Sequence, residues 1–179
     1  MNIDIEFLKY PIGRFKAPES ISTAQIQESI EKIKSFPSRL FTAVSPLSPA
    51  QLNTPYRPGG WTVRQLVHHC ADSHMNAFVR FKLALTEENP TIKAYDEASW
   101  AEMSDYELPV ETALSLIKGI HAKWASILEN MEDVDFSRTY FHPEKQRSQP
   151  LSEVTMMYAW HSDHHLAHVQ HLVLRNFDQ

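Results

Sequence analysis

Ten histidines stand in this 179-residue chain, and five of them fall within the twelve residues WHSDHHLAHVQH, Trp160 to His171. On a helix turning about 100° per residue, with His161 set at zero, His165 lies near 40°, His168 near 340°, His164 near 300° and His171 near 280°. All five therefore share one arc of about 120°, and Asp163 points the other way, near 200°. Two imidazoles at i and i+4 converge on one cation from consecutive turns, as in the HExxH helix. The spacing offers two such pairs, His161 with His165 and His164 with His168. His161 follows Val154, Met157 and Tyr158 around the helix and is expected to point inward. A metal site needs a third protein ligand. The chain has one cysteine, Cys70, so that ligand must be His, Asp or Glu.

The second long helix offers His68, His69 and His74. His74 falls on an apolar stripe and reads as a hydrogen-bonded core ring, as does His121 on the third helix. His68 shares its side with Arg64, Met75 and Lys82, a mostly solvated face. His69 shares its side with Gln65, Asp72, Ser73, Asn76 and Arg80. Polar groups aligned inside a bundle require partners or water, and a functional cleft supplies both, so His69 is the candidate third ligand. Arg57, in TPYR, and Arg80, with Asn76, are candidates for holding an anionic substrate or cofactor. Cys70 lies on the core stripe between Leu66 and His74 and reads as a buried apolar residue rather than a nucleophile. Glu87 and Glu88 read as a solvated helix end.

Three neutral imidazoles leave a divalent ion its full charge and one open position. A water entering such a position drops from a pKa of about 15.7 to about 7, and a thiol is deprotonated outright. The chemistry on offer is therefore hydrolysis or thiol transfer. Zinc suits the ligand type best, and nickel, copper and iron also accept imidazole. Each ligand is expected to tie its other ring nitrogen to an acceptor, with Asp72, Asp163 and the amides of the second helix as candidates. No general base is assignable, since neither HExxH nor Gly-x-Ser-x-Gly occurs. Metal affinity should fall as pH drops through about 6.5, where imidazole gains a proton.

The elements that position these residues are helical. Ser22 with Gln25, and Thr62 with Gln65, read as capping boxes. The first opens a helix carrying Ile26, Ile30, Ile33, Leu40 and Val44, which Pro37 should kink or divide. The second opens a helix from about Val63 to Thr86 with Val63, Leu66, Val67, Cys70, Ala77, Phe78, Phe81 and Leu85 on its core side. A long connection, roughly 87–108, holds a short helix at DEASWAEM and is expected to cross the fold or build a site. A third helix runs from about Val110 to Met131, SRTYFHPEKQRSQP reads as a loop or small hairpin, and a fourth helix spans about Leu151 to Arg175. These are the parts of an all-α four-helix bundle with a long crossover between the second and third helices, one domain over residues 1–179.

Composition narrows the partners. The net charge of −5 argues against a nucleic-acid binder. No run of about 20 apolar residues exists to span a membrane, and MNIDIEFLKYPIG lacks the features of a signal peptide. A cytoplasmic location is the default expectation, with a small molecule as substrate.

The pieces YPIGRF, TPYRPGGWTVRQLVHHCADSHMN, RFKLALTEENP, YDEASWAE, FHP and WHSDHHLAH together resemble the DinB-like superfamily, and within it the YfiT-like branch. The resemblance covers about Tyr10 to His168. It implies a four-helix bundle holding one divalent metal per chain through His69, His161 and His165, so it chooses between the two pairs that spacing left open. It also implies a homodimer and an activity described as metal-dependent hydrolysis, with related members transferring bacillithiol, mycothiol or glutathione. A thiol S-transferase is the leading expectation, followed by a hydrolase and then by a metal-binding stress protein without turnover. Cys70 departs from the family, where that position is usually aliphatic.

Overall fold

The computed structural model describes residues 5–176, so the first four residues of the amino-terminal stretch lie outside it. In chain order the helices are α1 (Ile5–Lys9), α2 (Thr23–Val44), α3 (Pro49–Leu52), α4 (Val63–Thr86), α5 (Glu97–Trp100), α6 (Val110–Glu129), α7 (Asp133–Phe136) and α8 (Leu151–Asn176). A 3-10 turn, Ser104–Glu107, lies between α5 and α6. Strands β1 (Thr139–His142) and β2 (Arg147–Pro150) pair antiparallel, so the expected loop or hairpin is a hairpin.

The four long helices close a ring in which α2 packs on α6 and α8, and α4 packs on the same two. Two apolar clusters fix their directions. One gathers Phe36, Leu40 and Val44 with Val63, Leu66 and Val67, with Val110, Leu114 and Ile117, and with Leu166, Val169 and Leu172. The other gathers Ile26, Ile30 and Ile33 with Ala77 and Phe81, Trp124 and Leu128, and Leu151 and Val154. The ends of α2 and α8 thus meet the starts of α4 and α6. Because α4 and α6 run parallel, the chain must return along the full length of α4 before α6 begins, and this return is the reason for the long connection 87–108. It is tied to the hairpin where Phe141 N–H donates to Pro90 O at 2.9 Å and Ile92 N–H to Phe141 O at 3.1 Å.

Both capping boxes form. Ser22 and Thr62 accept from the backbone of Gln25 and Gln65, whose side chains reach back. Thr62→Ala leaves a helix-end N–H without its acceptor, which costs about 1 kcal/mol and should lower the thermal midpoint by roughly 2–4 °C. A scanning calorimetry midpoint equal to that of the parent would show that the cap contributes nothing.

Of the two outcomes expected of Pro37, a kink or a division, the division does not occur. α2 runs unbroken through it, held on both sides by α6 and α8, because packing of a long amphipathic helix outweighs one missing hydrogen bond. Pro37 has no N–H to give to the carbonyl four residues earlier, that of Ile33. That oxygen takes a different donor, Nδ1 of His121, at 2.6 Å. Among the described residues no helix is long and apolar enough to cross a membrane.

Candidate metal centre

α8 is set in roll by its buried apolar residues, among them Val154, Tyr158, Leu166, Val169 and Leu172, and the ion pairs of its other side agree. Asp163 accepts from Arg39 of α2 at 2.6 Å and lies 3.8 Å from Lys32. The opposite side of α8, which carries the histidine arc, therefore faces α4. Ligand-capable atoms of His69, His161 and His165 all lie within 4.8 Å of one another, the group of three such residues that the described part of the chain brings together. The ring centroid of His69 is 5.5 Å from that of His161 and 4.9 Å from that of His165. His161 Nε2 and His165 Nε2 are 3.1 Å apart. Two nitrogens bound to one tetrahedral zinc at about 2.0–2.1 Å sit about 3.3 Å from each other, so this pair already has nearly the spacing of two ligands.

His164 and His168 have the same spacing, with their Nε2 atoms 3.1 Å apart, but lack a third ligand-type neighbour among the described residues. They are clad in aromatic rings instead. Trp160 stacks on His164 at 4.6 Å and Tyr56 lies against His168 at 4.1 Å. His171 stacks with Phe7 of α1 at 5.4 Å.

Burial sets the charge state of the cluster. It pulls the His69 imidazole down to about 4, with His164 adding to the effect. It pulls His161 and His165 well below the ordinary value, again with neighbouring histidines adding. All three rings are neutral at pH 7, so each has a lone pair free for a cation. Trp61 packs on His69 at 4.6 Å, while His161 keeps one partly exposed edge. His69 Nδ1 and His165 Nδ1 are buried with no protein partner. Buried ring nitrogens of this kind are incomplete without a ligand or solvent. The donor set, three neutral nitrogens and no thiolate, fits a divalent ion of the zinc or nickel type.

Other candidates fall differently. Arg80 is buried beside the long connection and donates to Lys93 O at 2.8 Å. Asn76 donates to Asp72 O one turn back at 2.9 Å. Arg57 donates to Pro58 O at 3.2 Å and lies over the Tyr56 ring. Cys70 is fully buried, and burial raises its thiol pKa far above the ordinary value, as a core residue requires.

Two expectations need correction. His68 is not on a solvated face, because the turn before α6 folds over it. Its Nε2 lies 3.1 Å from Leu108 O and its ring 5.4 Å from that of Tyr106. Nor do Asp72 and Asp163 orient the cluster, since Asp72 accepts from Tyr106 Oη at 2.7 Å and Asp163 holds Arg39. The contact that sequence reasoning missed is His74, whose Nε2 lies 3.1 Å from His161 Nδ1. Only its place on the core stripe of α4 was visible, and that alone does not reveal a partner on α8.

A bundle of four long helices with three converging neutral imidazoles defines the class as a histidine-site helical protein. The chain belongs to the DinB superfamily, whose model matches residues 33–169. A Bacillus pumilus relative bearing the name "Putative metal-dependent hydrolase" is 46% identical over 169 residues, 94% of this chain and 97% of the relative. A similarly named protein of Oceanobacillus iheyensis is 50% identical, covering 93% and 96% of the two chains. The solved structure of YfiT from Bacillus subtilis, described as a probable metal-dependent hydrolase with an unusual four-helix bundle topology, is similar at a TM-score of 0.92 and 44% identity over 94% of this chain and 97% of that one. The mycothiol-dependent maleylpyruvate isomerase shares the fold at a TM-score of 0.60 and 17% identity, over 78% of this chain and 60% of that one.

Proposed function

We propose that the chain is a metal-dependent enzyme in which His69, His161 and His165 hold one divalent ion, zinc or nickel, and that it transfers a low-molecular-weight thiol to a small electrophile. The observation that carries the reading is the convergence of three neutral imidazoles, two buried and one partly buried, whose ligand-capable atoms lie within 4.8 Å of one another. When bound, the ion would supply Lewis acidity that lowers the pKa of a thiol or water, whose proton passes to solvent. The chain's own residues would hold the ion and enclose part of the cluster. Trp61 shields His69, and the rings stay unprotonated because burial opposes their charging.

Thiol transfer is favoured over hydrolysis by the surroundings of the cluster. The contacts of the three rings are with other imidazoles and aromatic rings, and the nearby carboxylates are engaged elsewhere, Asp72 by Tyr106 and Asp163 by Arg39. A thiol acidified by the ion would release its proton to solvent and needs no carboxylate base, whereas a hydrolase gains from a group that hands a proton to the leaving atom. Hydrolysis is the second reading, favoured by the names of the relatives. A parallel screen separates them. Zinc-loaded protein is offered a thiol-reactive chromophore with several thiols, and beside it a panel of esters and amides without thiol. Thiol-dependent turnover that disappears in His69→Ala supports transfer. Turnover without thiol, lost in the same variant, replaces transfer with hydrolysis, and equal rates for parent and variant remove both.

A further inference from the structure

We infer that His74 and His121 are positioning residues that form a one-way imidazole relay, starting at the Ile33 carbonyl and ending by presenting Nε2 of His161 to the metal. The relay joins four helices through three contacts, from α2 to α6, α4 and α8. His121 Nδ1 lies 2.6 Å from Ile33 O, His74 Nδ1 lies 2.7 Å from His121 Nε2, and His74 Nε2 lies 3.1 Å from His161 Nδ1. The polarity follows from the first of these contacts. A carbonyl oxygen only accepts, so His121 carries its proton on Nδ1 and leaves Nε2 bare. His74 must then donate from Nδ1 and keep Nε2 bare. His161 in turn must donate from Nδ1, which leaves its Nε2 with a free lone pair. In the reverse order, His121 Nδ1 would face Ile33 O with no proton between them, two acceptors in contact.

The count of protons agrees. Three neutral rings carry three N–H groups, the contacts need three, and one nitrogen remains. That nitrogen is the one facing His165 Nε2 at 3.1 Å. His74 is fully buried and His121 nearly so, and a charged ring buried there without a counter-charge is costly. Neither ring therefore takes a second proton that would blur the direction. The source of the polarity is Pro37. It has no N–H for Ile33 O, so an oxygen normally occupied inside a helix is open to a side chain from α6. The proline that looks like a defect in α2 sets which nitrogen of His161, three helix contacts away, meets the ion. Ligating histidines are generally held by such a partner on their other nitrogen. Here His161 alone of the three has one among the protein groups, since His69 Nδ1 and His165 Nδ1 have none.

The inference rests on the proposed metal reading for its binding arm and not for its spectroscopic arm. Long-range nitrogen–proton NMR of the metal-free parent, with histidine labelled, should give His121, His74 and His161 as neutral rings protonated on Nδ1, and His165 donating from Nε2. With zinc added, His161 should keep its Nδ1 proton. A proton on Nε2 of His161 or His74 in either state overturns the relay. In the binding arm, chelator competition should show zinc held 10–100-fold more weakly by His74→Phe, the range typical of lost outer partners. His121→Phe should weaken it less, and His121→Gln should restore much of the loss, because one amide both donates and accepts. A folded His74→Phe that binds zinc as tightly as the parent also overturns the relay. A parent protein that takes up no zinc would instead end the proposed function and leave the tautomer assignment standing.

Discussion

His165→Ala is expected to lose stoichiometric metal and all metal-dependent turnover while keeping its fold. The parent should hold one zinc per chain by elemental analysis. The variant should bind more than about a hundredfold more weakly, since removing even an outer partner of a ligand costs 10–100-fold and here a ligand itself is lost. The geometry makes His165 the sharper choice than His161. Its Nε2 faces the cluster and its Nδ1 has no protein partner, so its removal disturbs no hydrogen bond other than those of the site. His164→Ala is the matched control. It removes an equally buried imidazole from the same turn of α8, whose spacing to His168 copies that of the proposed pair. The control should keep one ion per chain. Zinc retained by His165→Ala and lost by His164→Ala would move the site to the other pair. Equal retention in both would remove the site altogether.

That the choice lies between these two pairs shows how far the sequence reaches. The arc of histidines on α8 is a property of one helix, and helical geometry alone predicts it. Which pair faces α4 depends on the roll of α8, which long-range packing sets and to which contacts such as Asp163 with Arg39, residues 124 apart, contribute. No local pattern encodes such a contact, and the resemblance to a family supplied what spacing did not. His69 was legible because a row of polar residues on a bundle helix demands an explanation. His68 was misread for the converse reason: the face it occupies is covered by Tyr106 and the Leu108 carbonyl, which belong to a connection whose path no periodicity describes. Pro37 and His74 were each read by their commonest role, a helix breaker and a core ring. Their combined role appears only when α2, α6, α4 and α8 are assembled, because it passes from a backbone oxygen through two side chains.

The same buried rings make the metal-free protein acid-labile, and the effect should be large. An imidazole has an ordinary pKa of about 6.5, and His69 and His121 are pulled down to about 4 in the fold. Between those values the unfolded chain binds protons that the folded chain refuses, so stability is complete above about 6.5 and is lost as pH falls toward 4. Each of the two contributes about 3 kcal/mol over that interval. His74, His161 and His165 are shifted in the same direction by the same cause. Against a total stability of about 5–15 kcal/mol, the two together remove about 6 kcal/mol, and the other three act in the same direction, so the chain is expected to unfold before pH 4. Tryptophan fluorescence and circular dichroism should therefore report one cooperative transition between about 6.5 and 4, with several protons taken up. This changes the expectation drawn from free imidazole. The folded site does not titrate near 6.5, so metal release should coincide with unfolding rather than precede it. Zinc at about a thousand times its dissociation constant adds about 4 kcal/mol to the folded state and should move the midpoint down by roughly half a pH unit. A metal-free protein still folded at pH 4, or a transition with uptake of less than one proton, would mean that the histidine cluster is hydrated and charged in solution. Each ring would then titrate near the ordinary value of about 6.5, and metal release on acidification would precede unfolding.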